Sequence, residues 1–68
     1  MYKIILNVEG MSCEHCKKRV ESALNAVEGV ASSSVNLTNK EVTIEYDKNS
    51  ISDNELKNTI EETGYSVL

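Results

Sequence analysis

The chain has 68 residues, 40% of them hydrophobic, with eleven Asp and Glu against seven Lys and Arg for a formal net charge of −4. That length accommodates a single domain, residues 1–68, whose core is only marginally self-supporting and, with neither Trp nor Phe present, is aliphatic. The acidic balance argues against a nucleic-acid partner, which draws on clustered Lys and Arg, and a composition without low-complexity tracts argues against disorder.

Tyr2, Ile4, Leu6 and Val8 alternate with Lys3, Ile5 and Asn7, the period-2 pattern of a strand with one face on a core. The apolar run Ile4-Ile5-Leu6, closed by Asn7 and Glu9, is far too short for a signal segment or a membrane span. The expectation is a cytoplasmic protein, or a soluble piece of a larger one, with no direct membrane insertion. The Met1 start and the lack of a linker at Leu68 favour a complete small protein.

The strand gives way to Gly10-Met11-Ser12-Cys13-Glu14-His15-Cys16, which holds both cysteines of the chain three residues apart. From Glu14 to Val27 the period becomes helical: Cys16, Val20, Ala23, Leu24 and Val27 share a face, Lys17, Lys18, Glu21, Ser22 and Asn25 fall on others, and Gly29 supplies a stop. Val35 and Leu37, then Val42, Ile44 and Tyr46, alternate with polar residues about a Thr38-Asn39-Lys40-Glu41 turn, which reads as a hairpin. Val30 and Val35 differ in parity, so either the strand starts late or a bulge lies in Ser32-Ser33-Ser34. Ser52 and Glu55 form a capping box, Ile51 a hydrophobic staple, and Leu56 and Ile60 the buried stripe of a second helix that runs to about Thr63 and ends at Gly64. Tyr65 to Leu68 is long enough for a short edge strand.

The order is βαββαβ, an α+β ferredoxin-like arrangement: two right-handed βαβ halves folded into a four-stranded antiparallel sheet with both helices on one face. In that topology the loop after the first strand and the loop after the second helix lie at the same end, so Tyr65 belongs near Cys13 and Cys16.

Two cysteines at this spacing in a reducing compartment point to metal or redox chemistry rather than to a structural disulfide. A disulfide across so short a loop contributes little through chain entropy. On the first turn of a helix the two thiols converge on one soft cation, and a helix N-terminus favours the thiolate form that a metal requires. Two sulfurs alone suit a closed-shell ion such as Cu(I) and not Zn(II), which wants four ligands. The filled site carries a net charge of about −1 by formal counting, which the helix dipole and Lys17-Lys18-Arg19 offset. An exposed, under-coordinated site is poor for storage but admits another thiolate, so it suits transfer.

Gly10-Met11-x-Cys13-x-x-Cys16 after a first strand, the βαββαβ order and Gly64-Tyr65 after the second helix resemble a heavy-metal-associated domain over essentially the whole chain. Within that family, His15 between the cysteines and Tyr65 on the facing loop most resemble the bacterial CopZ-type copper chaperones. The resemblance implies a non-enzymatic carrier that delivers Cu(I) by ligand exchange to the metal-binding domain of a copper-transporting P-type ATPase. It implies Cys13 and Cys16 as the Cu(I) ligands, Met11 as a loop anchor packed in the core, and Tyr65 as a group shielding the site. From the residues themselves, Met11 is a core residue or a ligand, Tyr65 a shield or a core aromatic, and His15 an exposed side chain pointing away from the thiols or a third ligand. An open site also allows a copper-bridged homodimer.

Three other readings share the motif. Glu61 and Glu62 near Tyr65 suit the N-terminal metal-binding domain of the ATPase itself, since free chaperones of the family often present a basic docking face. Hg(II) also favours linear dithiolate coordination, although the mercury-binding proteins that resemble this chain are periplasmic. A thiol oxidoreductase uses CxxC at a helix start, but this chain has no proline to stand opposite the motif. Zn(II) and Cd(II) relatives often carry an acidic residue where Ser12 stands, and Glu41 to Asp47 lacks the basic, aromatic pattern of an RNA-binding strand.

Overall fold

The computed structural model describes residues 2–11 and 13–68. Its elements run β1 (Tyr2–Glu9), α1 (Glu14–Asn25), β2 (Val30–Asn36), β3 (Glu41–Tyr46), α2 (Asp53–Glu62) and β4 (Ser66–Val67). The four strands pair antiparallel in the order β2-β3-β1-β4, as the ferredoxin-like expectation required. Among the described residues, no helix is long and apolar enough to cross a membrane.

Alternation along β1 and β3 sorts the sheet into two faces. Leu6 stands opposite Val42 and Ile4 opposite Ile44, and these side chains form one cluster with Val20 and Leu24 of α1 and Leu56 and Ile60 of α2. Side chains of the other parity, such as Glu45 and the 57%-exposed Ile5, face away from both helices. Each fully buried Leu or Ile contributes about 1.5–3 kcal/mol through loss of apolar surface from water, and burying the helix stripes on a single face draws both helices to that side.

α1 ends two residues before the expected Val27. The Ala26 N–H already reaches back to the Ser22 carbonyl at 3.1 Å and Ala26 caps the helix. Val27 still packs on the core, which is why its apolar character imitates a further helical turn. Gly29 therefore serves the entry to β2 and not the end of α1. Its φ is +100°, and a Cβ there would come within 3.0 Å of Ser50 and 3.2 Å of Ile51.

The parity conflict is resolved by an irregularity between Val30 and Ser32, one residue ahead of the serine run, so the strand does not start late. Val30 pairs with Tyr46 and Val35 with Val42, so the extra residue puts both valines on the core face. The hairpin turn is also one residue earlier than expected, because Asn36 and Glu41 are already paired and Leu37 lies in the turn. The Asn36 side chain accepts from the Asn39 N–H at 3.1 Å there.

β2 is an edge strand, and α1 covers part of it. The Glu21 carboxylate accepts the Val35 N–H at 2.9 Å, and the Ser33 hydroxyl donates to the Asn25 side-chain oxygen at 3.0 Å. At the other edge β4 is short, pairing Val8 with Val67 and Glu9 with Ser66. That short pairing fixes where Tyr65 leaves α2.

Candidate metal centre

β1 delivers the chain to Gly10, whose φ of +98° turns it toward α1. A Cβ on Gly10 would lie 3.1 Å from Tyr65 Cδ1. Glycine thus lets the Tyr65 ring approach the backbone of the motif loop. Met11, 2% exposed, sits in the core cluster with Val8 and Leu56, so the loop is anchored from below. Ser12 lies outside the described residues.

Cys13 is the N-cap residue of α1, with extended backbone (φ −151°, ψ 170°), and its carbonyl accepts the Lys17 N–H at 3.1 Å to begin the helical ladder. Cys16 follows in the first turn, half-buried against the core, while Cys13 is exposed. The sulfurs stand 3.4 Å apart, a thiol–thiol contact in which either can donate and not a disulfide. The strand-to-helix junction therefore brings the two thiols together at the surface, with one backed by apolar packing.

Tyr65 joins them from the loop before β4. Its side chain is hydrogen-bonded with that of Cys16 and its ring is half-buried on the core, so it is both a core aromatic and a neighbour of the thiols. The hydrogen bond with Cys16 holds the Tyr65 phenol above its ordinary pKa. Burial and the charges of Cys16 and Cys13 act the same way, while the positive charge of Arg19 opposes them.

His15 is exposed, as expected, and lines a surface groove with Cys16, Lys18, Arg19, Ser22 and Tyr65. Residues 15, 18, 19 and 22 fall at i, i+3, i+4 and i+7, a helical stripe flanking the buried one. That spacing was present in the sequence, yet the cationic run masked it, since Lys17 does not line the groove while Lys18 and Arg19 do. Glu61 and Glu62, adjacent in sequence to Gly64-Tyr65, are exposed on α2 and do not line it either. Among the described residues, no group of three or more His, Cys, Asp and Glu stands ready to hold a metal ion. The arrangement offers two thiols, a phenol and a cationic flank.

The sequence matches the heavy-metal-associated domain over residues 5–66. It is 52% identical over 68 residues, 100% of both chains, to the copper chaperone CopZ of Staphylococcus aureus. Among solved structures, a CopZ metallochaperone superposes with a TM-score of 0.97 at 51% identity, covering 98% of this chain and 100% of that one. The N-terminal domain of a potential copper-translocating P-type ATPase from Bacillus subtilis, in its Cu(I)-loaded state, gives a TM-score of 0.91 at 38% identity over 96% of this chain and 81% of that one. With sheet order, motif loop and sequence all in agreement, the chain belongs to the heavy-metal-associated domain family.

Proposed function

We propose that this protein is a non-enzymatic cytoplasmic copper carrier that binds Cu(I) through Cys13 and Cys16 and passes it by ligand exchange to the metal-binding domain of a copper-transporting P-type ATPase. The observation that carries the reading is the pair of sulfurs 3.4 Å apart at an exposed helix start. Thiolate bonds of about 2.3 Å, as in zinc sites, set two sulfurs about 4.6 Å apart across a linear ion, so loading widens the 3.4 Å gap by roughly 1 Å. Exposed Cys13 moves more readily than Cys16, which is held by the core and Tyr65.

Binding releases the two thiol protons, and the dithiolate keeps one negative charge. Transfer begins when a thiolate of the partner enters as a third ligand. Cys13, the less restrained sulfur, leaves first and takes up a proton, and Cys16 follows as the second partner thiolate binds. Tyr65 donates its hydrogen bond to the Cys16 sulfur and covers that side against water. Met11 restrains the loop, and His15 stands at the rim where a partner approaches. The same open coordination lets a second copy supply the incoming thiolate, which gives a copper-bridged homodimer.

A second reading, a metal-binding domain that receives copper as part of the ATPase, is supported by the likeness to the Bacillus subtilis domain. It uses the same site in the reverse direction, and the native reading frame beyond Leu68 decides it. The carrier reading is tested by a Cu(I) competition titration with size-exclusion chromatography and X-ray absorption. One Cu(I) per chain on two sulfurs, lost in Cys13→Ser and Cys16→Ser, supports it. Variants that bind like the parent, or insulin reduction at thioredoxin-like rates, overturn it.

A further inference from the structure

The proposed site holds two thiolates, so the identity of the ion sets the charge of the filled site. A monovalent ion leaves one negative charge, and a divalent ion leaves none. A nearby positive charge therefore stabilises the monovalent complex and is nearly indifferent to the divalent one.

We infer that Arg19, which lines one groove with Cys16 and Tyr65, is a specificity-determining residue whose positive charge biases the site toward monovalent soft ions over divalent ones. The inference rests on the reading of Cys13 and Cys16 as the ligands. Arg19 is three residues beyond Cys16 on α1, the spacing that makes side chains neighbours on one helix surface. Lys18 lines the groove as well but is two residues from Cys16, a spacing that does not make the two side chains neighbours on the helix surface. The positive charge of Arg19 also acts on the Tyr65 phenol, where it opposes the two cysteines. Among the described residues, His15 is the remaining titratable group of that stripe and no carboxylate lines the groove. Of the acidic residues on either side of Arg19 in α1, Glu21 accepts the Val35 N–H at 2.9 Å and Glu14 is exposed in the first turn.

The affected quantity is a ratio of affinities. Cu(I) and Hg(II) both start from the same metal-free protein, so dividing one dissociation constant by the other cancels whatever a substitution does to the fold or to the metal-free thiols. Arg19 is exposed, and interactions of exposed charges are modest and screened by salt.

The test is a pair of chelator-competition titrations, one with Cu(I) and one with Hg(II), on the parent, Arg19→Ala, Arg19→Glu and Arg19→Lys. Lys3→Ala, at the far end of β1, controls for net charge. Arg19→Ala should weaken Cu(I) binding by about threefold and Arg19→Glu by about tenfold, while Hg(II) binding changes by less than about twofold, the scale of an exposed charge interaction. Arg19→Lys and Lys3→Ala should stay near the parent, and added salt should shrink the Arg19→Ala effect. Equal losses for both ions, or none for either, overturn the role of Arg19. Parent-like Cu(I) binding by Cys13→Ser and Cys16→Ser would instead overturn the ligand assignment, so the two failures are distinguishable.

Discussion

α2 starts on Ser52, whose hydroxyl accepts the Glu55 N–H at 3.4 Å, while α1 starts on Cys13, which holds the same N-cap position in extended backbone but makes no side-chain cap. Both first turns carry acidic residues, Glu14 in α1 and Asp53 and Glu55 in α2, so both dipoles are met by negative charge. Each start also stands near a tyrosine. Cys16 of α1 and Tyr65 share a hydrogen bond, and Asp53 of α2 acts on Tyr46, which is 3% exposed. The difference lies in the capping atom. A hydroxyl at an N-cap stabilises a helix by about 1 kcal/mol, and α1 puts sulfur there instead. The helix that anchors the fold is capped for stability, and the one that carries the thiols gives up that stabilisation to present them.

Exchanging the caps breaks the comparison. The largest effect is on metal binding: Cys13→Ser makes α1 start like α2 and should lower Cu(I) affinity by orders of magnitude, because one of the two proposed soft ligands is gone. Next, Ser52→Ala makes α2 start like α1 and should destabilise the fold by about 0.5–2 kcal/mol in urea unfolding, with Cu(I) affinity kept. Third, metal-free Cys13→Ser should be more stable than the parent by about 0.5–1 kcal/mol in the same measurement, since a hydroxyl now caps α1. A metal-free Cys13→Ser protein less stable than the parent would show that the sulfur already satisfies the helix start.

The smallest effect is in alkali. Burial holds the Tyr46 phenol above its ordinary pKa of 10.0, with Asp53 and then Tyr2 adding to it. A raised folded value means that the neutral phenol's contribution is fully present below pH ~10 and is lost as pH rises through the folded value. Asp53→Asn should therefore lower the Tyr46 midpoint in a tyrosinate absorbance titration, and Tyr46→Phe should remove that transition.

Features set by local chemistry were legible in the sequence. Ser52 and Glu55 announced the start of α2, the alternation from Tyr2 to Val8 announced β1, and the motif announced its own thiols. Placement of Tyr65 beside them required only the order of elements and their handedness. The misreadings fall where tertiary packing overrides a local pattern. Val27 packs on the core without being helical, Leu37 belongs to a turn although it is apolar, and the irregularity at Ala31 is visible only through its partners on β3. The groove shared by His15, Arg19 and Tyr65 is not legible in the local sequence because it joins a helix stripe to a residue from the other end of the chain.

The carboxylate of Glu21 on the Val35 N–H has a consequence for traffic. A carrier with the role proposed above must meet domains of its own fold repeatedly and part from them each time. An unguarded edge strand would let two such sheets zip together through their backbones, turning a brief handshake into a lasting embrace. By occupying the Val35 donor, α1 removes one of the backbone groups on that edge through which a foreign strand could pair.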